Sequence, residues 1–151
     1  MNYNQLFSSF QDQQIIVALI GAGQFGETFI RQCRRISGMQ ISFVCDLQPE
    51  RARAALLAAG YDKSAFVSVG SDEEATTAFK NGQIIITADY RLISGLALDC
   101  VVEATGSPEA AAQVGQITVL SGFHLAMITK EADIVVGPYL HKLAKAAGRH
   151  V

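Results

Sequence analysis

The residues with the clearest chemistry form a short glycine-rich segment, Gly21-Ala22-Gly23-Gln24-Phe25-Gly26. The spacing G-x-G-x-x-G is typical of loops that bind a pyrophosphate at the amino end of a helix, where free N–H groups and the helix dipole favour negative charge. Gly21 would permit a tight turn, Gly23 would let the backbone approach the phosphates, and Gly26 would let the helix pack closely on the preceding strand. A structural turn that binds no ligand is the alternative interpretation.

An acidic residue, Asp46, lies where a dinucleotide-binding domain has the carboxylate that contacts the ribose. Asp46 comes 20 residues after the last glycine of the loop and directly follows an apolar run, residues 39–45. A carboxylate there can accept hydrogen bonds from both hydroxyls of an adenosine ribose and would repel a 2′-phosphate. We therefore predict NAD over NADP, although Arg51 and Arg53 could neutralise a phosphate. Capping of a helix that begins at Pro49 is the structural alternative for Asp46.

A second candidate loop, Glu103-Ala104-Thr105-Gly106-Ser107-Pro108, also follows an apolar run and precedes a helical segment. In a parallel sheet this loop would lie at the same edge as the glycine loop, where the nicotinamide end of the cofactor is expected. The small residues leave room for a ring, and Thr105 can offer a hydroxyl. Glu103 either bonds a ribose hydroxyl or orients the loop behind it.

These loops need a framework, and the chain alternates between strand and helix patterns. Apolar, β-branched runs predict strands at 15–20, 39–45, 83–87, 98–103 and 123–128, with a brief one at 66–69. Amphipathic or alanine-rich segments predict helices at 24–36, 50–59, 72–80, 108–120 and within 132–147. The alternation predicts a parallel sheet with helices on both faces, a three-layer, doubly wound α/β fold of the Rossmann type.

The domain boundaries follow from the same pattern. Residues 15–151 are predicted to form one dinucleotide-binding domain, and residues 1–14 an amino-terminal arm with apolar side chains at helical spacing. Residues 149–151 have the pattern of the first residues of one more strand. We therefore expect the chain to be a piece of a longer protein.

Composition and charge limit the partners. Half of the residues are hydrophobic and the net charge is −2, with Lys and Arg scattered, so neither a nucleic acid nor a membrane is expected as a partner. With no signal-peptide pattern, and Cys33, Cys45 and Cys100 expected as reduced, buried thiols, the sequence favours the cytoplasm. No residues have the spacing of metal ligands. His124 is expected at the opposite edge of the sheet in a structural role.

Three segments, taken in order, resemble a known family. They are GAGQFG from residue 21, EATGSPEAAAQVG from residue 103 and GFHLAMITKEADIVVGPYL from residue 122. Together they resemble the amino-terminal domain of homoserine dehydrogenase-like oxidoreductases, most closely the subgroup with a carboxy-terminal SAF domain. That subgroup includes a reductoisomerase-like enzyme that acts on deoxyxylulose phosphate. The resemblance covers the chain from about residue 15 to its end, and KEADIVVGPYL is its most specific part.

The resemblance implies particular site residues. Those matching the family's pyrophosphate loop are Gly21, Gly23, Gln24, Phe25 and Gly26, and those matching the segment near the nicotinamide and its ribose are Ala104, Thr105 and Gly106. Lys130 follows His124 by six residues, as the catalytic lysine of true homoserine dehydrogenases follows its histidine. A solvated lysine at a strand end is the alternative for Lys130. Glu131 matches an acidic residue of the subgroup's motif and is expected to contact either the substrate or the residues that bind it.

The function implied is that of an NAD(P)-binding domain from an oxidoreductase. The whole enzyme would transfer hydride to or from a small polar carbonyl or hydroxy substrate, such as an aldehyde, a polyol or a sugar phosphate. Its substrate domains, through which we expect a homo-oligomer to form, are absent from this chain, so the isolated domain is expected to be inactive. The alternative is a non-catalytic module that senses NAD(H).

Overall fold

The computed structural model describes residues 14–151, so the arm predicted for residues 1–14 lies, except for Gln14, outside the described residues. Six strands form a single parallel sheet. In chain order they are β1 (Ile15–Ile20), β2 (Met39–Cys45), β3 (Phe66–Ser68), β4 (Ile84–Thr87), β5 (Cys100–Glu103) and β6 (His124–Met127). The helices are α1 (Gln24–Cys33), α2 (Pro49–Ala58), α3 (Asp72–Lys80), α4 (Pro108–Leu120) and α5 (Lys130–Ala146).

The strand order places β1 at the centre of the sheet. Across the sheet the strands run β3-β4-β2-β1-β5-β6, and β1 pairs with β2 on one side and with β5 on the other. The chain therefore leaves β1 in one direction and later crosses over to β5 in the other. In open α/β sheets, ligands bind in the crevice at such a switch point, outside the carboxyl ends of the strands. The doubly wound Rossmann-type fold predicted from the sequence is confirmed.

Alternate side chains of β1 face two separate layers of the core. Val17 and Leu19 pack in a cluster that also contains apolar residues of α1 and α2. Ala18 and Ile20 belong to a second cluster, which includes residues of α3, of α4 and of a 3-10 helix at Tyr90–Gly95. A central parallel strand needs apolar residues on both faces, and this is why β1 has an uninterrupted aliphatic sequence.

Two predicted elements differ from the structure. The last helix, expected within 132–147 and most clearly after Pro138, begins at Lys130 and continues through that proline. Pro138 and Ile134 lie at the surface, where water can replace the backbone hydrogen bond that proline removes. Buried Leu140 and Ala144 on the opposite side hold α5 in place. Residues 149–151 do not form a strand, although the His150 carbonyl accepts a hydrogen bond from the Leu125 N–H.

The remaining boundaries agree with the sequence to within a few residues. Helix α1 ends at Cys33 rather than Ile36, and β5 begins at Cys100 rather than Leu98. The brief strand at 66–68 is present at the edge of the sheet. Among the helices of residues 14–151, none is long and apolar enough to cross a membrane.

His124 begins β6 at the amino edge of the sheet, away from the loops described above. Its Nδ1 accepts a hydrogen bond of 3.1 Å from the backbone N–H of His150, and the two rings stack with their centroids 5.3 Å apart. Burial lowers the pKa of His124, and the positive charges of Arg149 and His150 lower it further, while Asp99 acts in the opposite direction. The folded protein therefore favours the neutral imidazole.

This arrangement predicts a pH dependence of stability. Because the pKa of His124 is lower in the folded state than its ordinary value of 6.5, the unfolded chain binds the proton more readily. The stabilisation is present above pH 6.5 and is lost as the pH falls through the lowered pKa. Urea unfolding between about pH 5 and pH 8 measures it. The variant His124→Asn keeps an acceptor that does not titrate and should show a smaller decline; an equal decline in both proteins would contradict the assignment.

Candidate functional site

The loops after β1 and β5 touch through their backbones. Gly21 has a φ of +104°, a conformation that glycine adopts without strain, and its N–H donates to the Cys45 carbonyl at 2.7 Å. A Cβ on Gly21 would overlap the Ala104 carbonyl group and would lie 2.9 Å from the Thr105 nitrogen. The tight turn predicted at Gly21 is therefore present, and it brings the two candidate loops into direct contact.

The other two glycines of the loop have different surroundings. A Cβ on Gly26 would collide with the Gly21 carbonyl and would lie 3.3 Å from Leu19 Cδ2, so α1 packs closely on β1 as predicted. A Cβ on Gly23 would have no atom of the described residues within 4 Å beyond its own chain neighbours. Gly23 is the residue before α1, and no side chain of the described residues caps this end of the helix. The amino end of α1, with exposed Gln24 and Phe25, is open to a ligand.

Asp46 ties the end of β2 to the glycine loop. Its Oδ2 accepts a hydrogen bond of 2.8 Å from the Ala22 N–H, and its Oδ1 accepts one of 2.9 Å from the Gln48 N–H. The carboxylate does not cap α2 as the structural alternative supposed, because Gln48 lies before Pro49 and outside that helix. A carboxylate has further lone pairs, so these bonds leave acceptor capacity for a ribose. The ribose contact stays a prediction.

Glu103 holds the second loop from behind. The side chain is fully buried, and its Oε1 accepts hydrogen bonds of 2.7 Å from both the N–H and the hydroxyl of Thr105. Of the two interpretations made from the sequence, the structure supports loop orientation. The Thr105 hydroxyl also accepts a bond of 3.2 Å from the Ser107 N–H. The hydroxyl that the sequence suggested for a ligand is therefore already bonded within the protein.

Lys130 and Glu131 lie at the same edge of the sheet, at the start of α5. Both are exposed, and neither takes part in an ion pair among residues 14–151. Thr129, directly before them, bonds Glu103 through its N–H at 3.2 Å and through its hydroxyl at 2.8 Å. The predicted catalytic candidates are thus anchored beside the loop at 104–107.

A cleft of about 300 Å³ opens at this edge between the loops after β1, β2, β4 and β5. The residues that line it include Gly21, Asp46, Arg51, Tyr90, Thr105 and Ser107. The Tyr90 hydroxyl donates to Gln113 Oε1 at 3.0 Å, which holds the tyrosine against α4. Residues 89–95 have the sequence of a connector or short helical turn and carry no motif that points to a site. Their position directly after β4 could have indicated the cleft, because every loop that follows a parallel strand lies at this edge.

The cysteines offer no nucleophile at this site. Burial, together with the negative charges of Asp46 and Asp89, raises the pKa of the Cys45 thiol to about 12. Cys45 lines the cleft as a neutral thiol. Cys33 is also buried, whereas Cys100, predicted as buried, is half-buried. Within residues 14–151, no three His, Cys, Asp or Glu side chains come together as metal ligands would.

No protein-family model matches the chain, and no curated protein matches it either. Solved structures do resemble it. A homoserine dehydrogenase from Thiobacillus denitrificans has a TM-score of 0.65 and 18% identity over 91% of this chain and 28% of that chain. An oxidoreductase from Agrobacterium radiobacter, in complex with NAD+, L-tartaric acid and magnesium, has a TM-score of 0.66 and 15% identity over 91% and 34%. A DOX-P reductoisomerase in complex with magnesium has a TM-score of 0.62 and 19% identity over 91% and 36%.

These similarities establish the class of fold, a Rossmann-type domain of the kind that oxidoreductases contain. The structural neighbours include a homoserine dehydrogenase and a DOX-P reductoisomerase, in agreement with the resemblance found in the sequence. The chain spans about a third of the length of the solved structures it matches. The resemblance to the subgroup with a SAF domain stays a prediction.

The geometry of the glycine loop predicts that two similar substitutions differ in their effect on stability. Gly26→Ala places a methyl group against the Gly21 carbonyl, and we expect it to lower the free energy of unfolding by about 2 kcal/mol. Gly23→Ala points a methyl group into open space, and we expect a change within about 0.5 kcal/mol. Urea unfolding of both variants measures these values. Equal destabilisation by the two would refute the packing described for Gly26.

Proposed function

We propose that this domain binds NAD as the cofactor-binding part of an oxidoreductase. One observation carries the proposal: the amino end of α1, which no side chain of residues 14–151 caps, lies at the same sheet edge as the cleft between Asp46 and Thr105. Phosphate groups favour an open helix amino end, because the N–H groups there lack partners and the helix dipole is positive. Gly23 lies at that end, and the part of the chain that the structure describes leaves open space around a Cβ placed on it, which is the room that a phosphate needs.

Each part of the dinucleotide has a proposed set of contacts. We assign the pyrophosphate to the N–H groups of the glycine loop around Gly23 and the adenosine ribose to the Asp46 carboxylate. The cleft beside Tyr90 would take the adenine. The segment Ala104 to Gly106 would border the nicotinamide and its ribose, as the family resemblance implies. NAD, when bound, would supply the hydride acceptor of the reaction.

The charges around Asp46 support NAD rather than NADP. A carboxylate repels a 2′-phosphate, and of the two arginines that could offset this effect only Arg51 lines the cleft. Arg53 donates to the Ser68 hydroxyl at 2.7 Å and lies 3.4 Å from a carboxylate oxygen of Glu50. Its guanidinium also stacks over the Phe66 ring. A 2′-phosphate would have to draw Arg53 away from these contacts.

We propose that the chemistry itself uses residues at the start of α5 together with a substrate-binding part beyond residues 15–151. Lys130 would orient a substrate carboxylate or phosphate or polarise a carbonyl, and Glu131 would contact the substrate. Their exposure beside the 104–107 loop supports this assignment. The greater length of the solved structures supports the view that the substrate site, and any oligomer contacts, lie in further domains. The free cysteines fit the reducing cytoplasm.

Calorimetric titration with NAD+ and NADP+ tests the proposal. We expect the wild-type domain to bind NAD+ and to bind NADP+ more weakly. Asp46→Asn removes the charge and keeps an oxygen that can accept from the Ala22 N–H, so the preference for NAD+ over NADP+ should fall by about tenfold. Tighter binding of NADP+ by the wild-type domain would contradict the role of Asp46.

The variant Gly23→Ala tests the proposed phosphate site. Because this substitution is not expected to change stability, weaker binding would reflect the methyl group that occupies the phosphate position. We expect affinity for NAD+ to fall by about tenfold. Undiminished binding in this variant would show that NAD+ does not lie on the amino end of α1.

A further inference from the structure

A buried carboxylate near the proposed site makes no contact assigned to the cofactor. Glu103 ends β5 with none of its side chain exposed to solvent. Among the ion pairs of residues 14–151, none provides it with a cation. A buried carboxylate is costly unless hydrogen bonds compensate for the lost water, so this side chain depends on its donors. Those donors determine what Glu103 can do.

Within the described residues, the four hydrogen bonds to the Glu103 carboxylate come from two threonines on different loops. Oε1 accepts from the N–H and the hydroxyl of Thr105 and from the hydroxyl of Thr129, at 2.7, 2.7 and 2.8 Å. Oε2 accepts from the Thr129 N–H at 3.2 Å. The carboxylate therefore fastens the segment after β5 to the residue directly before α5.

The Thr129 hydroxyl extends this connection to the outer part of the loop. While it donates to Glu103, it accepts a hydrogen bond of 3.1 Å from the Gly106 N–H. Thr129 is itself buried, so water does not compete readily for these bonds. One hydroxyl thus joins the buried carboxylate, the loop at 104–107 and the first turn of α5.

We propose that Glu103, acting through Thr129, is a positioning residue that prepares the surface for the nicotinamide half of the dinucleotide. The inference rests on the proposed NAD binding. Its bonds fix the backbone of 105–106 and the start of α5, where Lys130 begins the helix, before any ligand arrives. A loop that is already ordered does not lose conformational entropy on binding, and this raises affinity.

The hydrogen bonds of Glu103 and Thr129 should affect the binding of the nicotinamide half of the cofactor only. Asp46, on a different strand, holds the glycine loop and borders the cleft proposed for the adenosine. None of the hydrogen bonds to Glu103 reaches those residues. A general disturbance of the fold would spread further, because the Ala104 backbone lies against Gly21. Selective weakening of the nicotinamide half therefore distinguishes positioning from a merely structural role.

The test compares NAD+ with ADP, which contains the adenosine and both phosphates but no nicotinamide. Thr129→Val removes the bridging hydroxyl at nearly constant shape. We expect it to weaken NAD+ binding about tenfold and to change ADP binding less than about twofold. Thr129→Ser restores a hydroxyl and should recover NAD+ affinity. Glu103→Gln, if it folds, should show the same selective loss.

Thr118→Val is the matched control. Thr118 is also fully buried, but its hydroxyl has no hydrogen-bond partner within the described residues, so its removal should change neither affinity. Equal weakening of NAD+ and ADP binding by Thr129→Val, or no weakening of either, would overturn the positioning role of Glu103. Neither result would contradict the proposal that the wild-type domain binds NAD. If the wild-type domain bound neither NAD+ nor ADP, the proposed function would be overturned, and the inference with it.

Discussion

The structure depends on one close approach, the contact between the backbones of Gly21 and Ala104. Because Gly21 has no side chain, the loops after β1 and β5 meet directly at the switch point, where the chain crosses from one side of β1 to the other. A methyl group there would push these loops apart and would also strain a backbone with φ of +104°. The open end of α1, the cleft beside Asp46 and the segment that leads to Thr129 all meet around this contact.

Two carboxylates hold this edge together in the same way. Asp46 directly follows β2 and accepts a hydrogen bond from the Ala22 N–H, while Glu103 ends β5 and accepts hydrogen bonds from Thr105 and Thr129. Each carboxylate uses backbone N–H groups that would otherwise need water. Asp46 lies at the cleft and keeps acceptor capacity for a ligand, whereas Glu103 is fully buried and is restricted to ordering the loops. This difference in burial is why we propose a binding role for Asp46 and a positioning role for Glu103.

The sequence was sufficient for most of the fold, because its signals are local. Apolar runs such as Ile15–Ile20 and the spacing of the glycines predict a central strand followed by a phosphate-binding turn. The connection from Glu103 to Thr129 spans 26 residues of chain and leaves no periodic pattern. Nor could local signals show that packing at Leu140 and Ala144 would continue α5 through Pro138. Contacts between distant segments therefore had to come from the structure.

The most direct test of this account is an NMR titration of the isotope-labelled domain with NAD+. The central claim is that the dinucleotide lies across the carboxyl edge of the sheet, from the amino end of α1 to the loop at 104–107. We predict that the amide signals of Gly23 and Gly26, of Asp46 and of Gly106 shift together. Amides at the opposite edge, such as that of His124, should stay unchanged. Shifts confined to that opposite edge, or none at all, would contradict the account.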